Sequence, residues 1–515
     1  MTRSTRSARR WWALAAICLA VLAITLDVTV LTVALPSLAG ALHASEVELQ
    51  WFVTAYTLAL VAGMLPAGLL GDRYGRRTVM LGAILLFAAG SIACALAPDP
   101  ATFIAARVVL GLAGAAIVVM ALATITVLFD EAERPRAVGI WGGANFIGLP
   151  LGPILGGWIL SNGWWGWIFL MNVPVALIGA LAVLALVPAS RAPHAPRFDV
   201  PGIVLSSAGL VALMYGIVRA GVDGWDSAGA LVAVALGMAL LAAFGTWEWR
   251  LGARPGGEPL VDLSLFRSGS FTWGMILTAL GAVGLFGILF ALPQHLEAVM
   301  GDDPQGAGVR LLPVIGGLVV GAVPADRLAV RLGAKTTVAA GFAIVAAGLV
   351  AGSTLTVSSG DAFIAAWTFV SGVGAGIGFA TAASAALVEL PAERSGVGAA
   401  LIQTVVKLGP AFGATILGSV LNAGYRARLD VAGLPAAAAS AAQASVFGAV
   451  GIAHQLGAAG LLASARTSFV AGLDDALRVA AVIAVAGCLL GLAFLPARSS
   501  PVAAAGSARR AAPTM

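Results

Sequence analysis

Three charged side chains stand deep inside apolar runs of this 515-residue chain, where burying a charge has to serve some end. Asp27 follows Ala13 by fourteen residues, which on a helix places its carboxylate roughly 21 Å into a hydrocarbon core of roughly 30 Å. Arg107 follows Ala101 by six residues in a run entering from the opposite side, so it lies about 9 Å deep, level with Asp27. A carboxylate and a guanidinium at one depth can pair. If the pairing is permanent, it only neutralises two buried charges. If it depends on state, burial favours the neutral carboxyl while the arginine is away, and the arginine favours the ionised form when near, so a proton is loaded and released. Both readings are open on the sequence. Lys407 lies about eleven residues, or roughly 16 Å, into another run and so near mid-membrane. Either it faces a cavity, or it snorkels or caps a helix broken at Gly409-Pro410. Facing a cavity, it would disfavour a simple dicationic substrate. His43, His194, His295 and His454 fall in loops or at the edges of runs without ligand spacing; they read as solvated, and neither a metal site nor a cofactor is expected. Cys18, Cys94 and Cys488 are widely spaced within apolar segments and form no disulfide framework.

The elements that must hold these charges are membrane helices. The chain is 60% hydrophobic and 10% charged, against about 25% charged for a soluble domain. Apolar runs predict fourteen spans, near residues 12–38, 49–70, 78–97, 101–128, 137–160, 165–187, 200–218, 227–246, 271–293, 307–325, 335–355, 362–388, 396–422 and 476–496. The first run, from about Ala13 to Leu35, is too long for a signal peptide and reads as a retained span. An even count puts both termini on one side. Of the 29 Lys and Arg, twenty-one fall in segments on the side of the termini, four (Arg219, Arg426, Arg428, Arg466) on the other, and four within or at the edge of spans. This predicts cytoplasmic termini in a multi-pass protein of the cell inner (cytoplasmic) membrane, and it accounts for the basic excess without nucleic acid. The segment 423–475 is the longest loop expected outside the membrane, alanine-rich and external or interfacial; Gln443, His454 and Gln455 argue against a fifteenth span. No GxxxxGK[ST] loop occurs to suggest a nucleotide-driven engine.

Gly148, Gly152 and Gly156 recur every four residues and form a stripe without side chains, where a second helix can approach closely; Pro150 and Pro153 bend the helix there. The partner is expected across the interface between two halves of the molecule. With Pro153 and Gly157 the string resembles the GxxxGPxxGG signature in the fifth helix of proton-coupled antiporters of the major facilitator superfamily. Gly68-Leu69-Leu70-Gly71-Asp72-Arg73-Tyr74-Gly75-Arg76-Arg77 resembles that superfamily's GxLaDrxGrr loop, which implies that Gly68, Asp72, Arg73, Gly75, Arg76 and Arg77 brace the cytoplasmic face and set the balance of inward-open and outward-open states. Asp326-Arg327 repeats Asp72-Arg73, and Gly409-Pro410 repeats Gly152-Pro153, the pattern of two parallel six-helix halves. The stretches Leu26–Pro36, Trp165–Pro174 and Glu258–Phe266 are similar to segments of the fourteen-helix drug/proton antiporter branch.

The resemblance implies an all-α polytopic fold: a bundle over 1–190, inserted seventh and eighth helices over 191–247, a cytoplasmic linker over 248–270 and a second bundle over 271–515. It also implies that the first and fourth helices line a central cavity, which permits Asp27 and Arg107 to meet and makes them the expected proton-coupling residues. Thr32, Asn145, Gln403 and Lys407 are the candidate cavity residues. Family members commonly carry Asn at the place of Thr32, Gln at that of Leu110 and Arg at that of Gly166, so substrate details do not carry over. The expected function is proton-driven efflux of small amphipathic drugs or antibiotics, with substrate, protons and the bilayer as partners. The alternatives are nutrient, lipid or metabolite movement by the same fold, or a membrane-embedded enzyme or sensor. An enzyme needs clustered catalytic groups that the spans do not supply, and a sensor needs a soluble output domain that the short loops exclude.

Overall fold

The computed structural model describes residues 3–130, 133–190, 198–254, 257–388 and 395–496; a few side chains within those helices, Thr32 and Pro153 among them, also lie outside the description. His194 and the basic residues Arg191, Arg197, Arg394, Arg498, Arg509 and Arg510 are likewise outside it. All regular structure among the described residues is helical. The helices are α1 Arg3–Leu42, α2 Glu46–Tyr74, α3 Arg76–Ala95, α4 Pro100–Leu128, α5 Arg134–Asn162, α6 Trp167–Leu170, α7 Asn172–Leu186, α8 Val200–Asp223 and α9 Ala228–Gly252. After a short 3-10 turn, Leu263–Arg267, follow α10 Gly269–Gln294, α11 Pro304–Arg310, α12 Leu312–Ala322, α13 Ala325–Leu332, α14 Ala334–Gly352, α15 Asp361–Val388, α16 Ser395–Arg428, α17 Ala436–Ala444, α18 Val446–Leu456 and α19 Ala459–Phe494.

Local chemistry sets many of these boundaries. Ser45 and Glu48 form a capping box at the start of α2, and Asp99 accepts from the Thr102 amide at 2.8 Å to start α4. The sharp turns from α2 to α3 and from α13 to α14 run through Gly75 (φ 98°) and Gly333 (φ 85°), conformations that a side chain would strain. Twelve helices among the described residues are long and apolar enough to cross a membrane, and α11–α12 with α13, bent by 44°, makes a thirteenth. α5, with 29 residues, is compatible with the fourteenth.

Packing follows one plan twice. α5 lies on α1, α4 on α2 and α3, and α7 on α1 and α3; in the same pattern α16 lies on α10, α15 on α12 and α14, and α19 on α10 and α14. These are two six-helix bundles. They meet through α5 on α12 and, symmetrically, α16 on α2. α8 and α9 form the inserted pair; α8 packs against α2 and α16, while α9 turns Leu231, Val232, Leu236 and Met238 outward. The linker is pinned where the Val261 amide donates to Glu248 Oε2 at 2.9 Å.

Several expectations are corrected. The segment 423–475 is not a loop: α16 runs on to Arg428, α17 and α18 follow, and α19 begins at Ala459, well before 476. Alanine favours helix there, and tertiary bonds hold it, with Tyr425 Oη donating to the Ala442 carbonyl at 2.9 Å and Arg428 paired to Asp475 at 2.8 Å. α18, at 11 residues, reaches only about 16 Å and is no extra span. His295 is not solvated; a π-helical turn, His295–Val299, extends α10 and buries the imidazole. Glu248 is a further buried carboxylate besides Asp27, Asp72 and Asp199, on a helix that outlasts the predicted end at 246.

Candidate functional site

The buried charges converge in the first bundle. Asp27 Oδ2 on α1 pairs with an Arg107 guanidinium nitrogen on α4 at 2.5 Å, and Asp27 Oδ1 accepts from Asn172 Nδ2 at 3.2 Å. Asn172 opens α7, just beyond the break between α6 and α7, and its amide is also 3.5 Å from Ser91 Oγ of α3. Arg107 Nε donates to the Phe52 carbonyl at 2.9 Å, and its guanidinium carbon lies 4.4 Å from the centroid of the Tyr56 ring, both on α2. Four helices of one bundle, α1, α2, α4 and α7, thus meet at a single ion pair, and α3 adds Ser91 behind Asn172. Asp27 and Arg107 are 2% and 1% exposed, so the pair is held in a low dielectric where losing either partner is costly.

Tyr56 is also part of a cavity wall. A space of about 290 Å³ opens between the bundles, bounded by α1, α2, α5 and α8 on one side and by α10 and α16 on the other. Its polar lining is Thr25, Thr29, Tyr56, Thr57, Asn145 and Lys407; apolar surface comes from residues such as Met214 and Phe286. Of the four candidate cavity residues, Asn145 and Lys407 line it. Gln403 is buried one turn before Lys407 and is not among the lining residues, while the side chain of Thr32 is outside the description. Asn145 Oδ1 accepts from Thr25 Oγ1. Among the described residues the Lys407 ammonium has neither a hydrogen bond nor an ion pair, and α16 runs unbroken through Gly409-Pro410, so the expected broken helix end is not there to be capped.

The glycine stripe of α5 packs inside the first bundle, not across the halves as its pattern suggested. A Cβ on Gly148 would stand 2.7 Å from Thr25 Cβ, one on Gly152 would overlap the Thr29 hydroxyl, and one on Gly156 would stand 3.1 Å from Val30 Cγ1, all on α1. Thr29 Oγ1 also donates to the Gly148 carbonyl at 3.1 Å. The stripe therefore seats the turn of α1 that carries Asp27 and two cavity threonines. Gly157 faces open space. Contact across the halves falls to an earlier pair that periodicity alone did not single out: Gly139 and Gly143, where a Cβ would come within 2.6 Å of Ala322 and 2.9 Å of Val319 on α12.

At the arginine-rich end Asp72 is buried between bundles. Its Oδ1 accepts from Arg76 at 3.1 Å, and its Oδ2 accepts from the Val397 amide at 3.1 Å in the first turn of α16, where a carboxylate also meets the positive end of the helix. Arg73 lies over the Phe198 ring at 4.7 Å, Arg77 donates to the Leu184 carbonyl at 2.5 Å, and Gly75 makes the turn. Gly68 lies within α2.

Asn172, Ser91 and the two α2 contacts were missed from sequence. Asn172 had a usable signal, since it sits in the Trp165–Pro174 stretch already singled out; Ser91 had none.

Comparison with known proteins gives a consistent picture. Residues 17–414 match the family profile described as Major Facilitator Superfamily. The tetracenomycin C resistance and export protein of Streptomyces glaucescens is 33% identical, covering 94% of this chain and 91% of that protein. The multidrug efflux pump LfrA of Mycolicibacterium smegmatis is 34% identical, covering 94% and 96%. Among solved structures, the proton:xylose symporter XylE superposes with a TM-score of 0.62 at 15% identity, over 95% of this chain and 97% of that one.

Proposed function

The chain belongs to the major facilitator superfamily, whose members are transporters, and from that premise we propose that it is a proton-coupled exporter of small amphipathic drugs or antibiotics, working by alternating access. The observation that carries the reading is the shared Tyr56: its ring lies under the guanidinium of the Asp27–Arg107 pair, and the same residue lines the central cavity. A substrate pressing on that wall can shift the arginine relative to Asp27. In one state the arginine pairs with Asp27; in the other the two part, and the freed carboxylate picks up a proton that re-pairing releases. Asn172 keeps Asp27 oriented through the exchange.

In this reading the bundles comprise residues 1–190 and 271–515, with the pair 191–247 and linker 248–270 between them. The protein sits in the inner membrane with both termini cytoplasmic, as the charge asymmetry supports. Asp72 at the start of α16 then latches the cytoplasmic ends of the bundles, and the α1–α5 glycine seam keeps the first bundle rigid as it rocks. Names of two relatives, an antibiotic exporter and a multidrug pump, support the direction and substrate class. Movement of a nutrient, lipid or metabolite has no such support. The test is a susceptibility panel of amphipathic antibiotics in cells with and without the gene. Resistance to at least one compound, lost when an ionophore collapses the proton gradient, is expected; accumulation unaffected by either the gene or the ionophore would remove the reading.

A further inference from the structure

Among the described residues the cavity lining carries one formal charge, the positive charge of Lys407, and no carboxylate. Among the described residues the ammonium has no acceptor, and Asp27, the carboxylate set just behind Tyr56, has both oxygens engaged by Arg107 and Asn172. An isolated ammonium in a space walled by Met214, Phe286 and aliphatic side chains is costly to hold. Water can solvate it while the cavity is open. A substrate that displaces that water must replace its acceptors or leave the charge stranded, and this penalty selects among substrates.

We propose that the transported compounds are acidic amphipaths, anionic or bearing an ionised phenol or carboxyl, and that Lys407 is their counter-charge and the main determinant of specificity. The geometry divides the work. Lys407 on α16 binds the acidic group; Thr25, Thr57 and Asn145 on the opposite wall offer neutral polar partners; Phe286 and Met214 offer surface for a ring system. Because Lys407 stands on the second bundle and the hydroxyls stand on the first, a substrate bridging them ties the two bundles together. A cationic compound in the same space meets a like charge, and among the described residues no carboxylate lines the cavity to offset it, Asp27 being taken up by Arg107 and Asn172. The inference rests on the export reading for its consequence but not for its test, since charge preference is measurable without a proton gradient.

The test uses two dyes with the same fused three-ring core and opposite charge, fluorescein and rhodamine 123, on the full-length purified protein. Equilibrium binding is read by fluorescence anisotropy, and uphill uptake is read in proteoliposomes under an imposed proton gradient. Fluorescein is expected to bind at least about tenfold more tightly than rhodamine 123. Lys407→Met should lose about tenfold in fluorescein affinity and erase the preference, Lys407→Arg should retain it, and Lys407→Glu should reverse it in favour of rhodamine 123. Each variant's monodispersity and melting profile show that it is folded. Rhodamine 123 bound as well as fluorescein by the unmodified protein, or a fluorescein preference unchanged in Lys407→Met, overturns the proposal. A Lys407-dependent preference without uphill uptake would leave the proposal standing and count against proton-coupled export; uphill uptake without charge preference would do the reverse.

Discussion

In the first bundle Asp27, Arg107, Asn172 and Ser91 close on one another, with α1, α2, α3, α4 and α7 each supplying a group. In the second bundle, whose helices pack by the same plan, Lys407 has no partner among the described residues and turns to the shared cavity. One packing scheme thus supports two electrostatic regimes. A charge enclosed with its counter-charge suits a proton switched by small displacements, because the field is strong and water is excluded. A charge left open to a cavity suits recognition, because its partner is brought by the ligand. The difference suggests that the fold's repeat fixes shape while each half is free to specialise its chemistry.

Stability offers the strongest way to break this contrast. Arg107→Met strands a buried carboxylate and should cost about 3–5 kcal/mol, enough to lose most folded protein, whereas Lys407→Met strands nothing and should leave stability within about 0.5 kcal/mol. Replacing both partners, Asp27→Leu with Arg107→Met, should restore folding without restoring coupling. Thermal aggregation in detergent reads all three, and equal losses for Arg107→Met and Lys407→Met would erase the distinction between enclosed and open charge.

A middling effect tests the shared packing. Gly152→Leu drives a side chain into Thr29 of α1, and Gly409→Leu drives one into Ala282 of α10, the equivalent helix of the other bundle. Each should cost about 1–3 kcal/mol and reduce export severalfold, while Gly157→Leu, facing open space, should behave as the unmodified protein. Impairment in only one of the first two, measured as proteoliposome uptake, would mean that the repeat does not extend to the seams.

The smallest expected difference lies at the arginine-rich end. Asp72 is buried and bonds across the bundles to Val397, whereas Asp326, its repeat, is partly exposed and among the described residues accepts only from the adjacent Arg327 amide. Asp72→Ala should cost about 1.5–3 kcal/mol and slow turnover, and Asp326→Ala should change both by little. Comparable transport rates in the two variants would show that the latch carries no load.

Much of this was legible in the sequence, for identifiable reasons. Asp27 and Arg107 could be placed at one depth because helix rise is constant and charges in apolar runs are few. The stripe of Gly148, Gly152 and Gly156 was visible as a face, but periodicity says which residues share a face and not which helix lies opposite, so α1 was not foreseen as its partner. Lys407 could be placed in depth but not in direction, since the Gly409-Pro410 pair just after it reads from sequence as a break, whereas α16 runs on unbroken with Pro410 inside it. Asn172 and Ser91 were passed over because small neutral polar groups in apolar runs look like packing residues until a charge is found beside them. The helices of 423–475 were hidden by their polar interruptions, since Tyr425 and Arg428 hold that segment through partners that only the folded chain brings near.

The central claim is that the enclosed pair, and Asp27 within it, converts a proton gradient into export. Its most direct test is Asp27→Asn in proteoliposomes, with dye uptake and internal pH followed together. Asparagine keeps the shape and the acceptor toward Arg107 but cannot carry the proton. The account predicts that, because Arg107 loses its counter-charge, the variant is less stable than the unmodified protein, but that its folded fraction binds fluorescein and exchanges it across the membrane without energy, with uphill accumulation and substrate-linked proton flux both abolished. Uphill accumulation with an undiminished proton flux would contradict it.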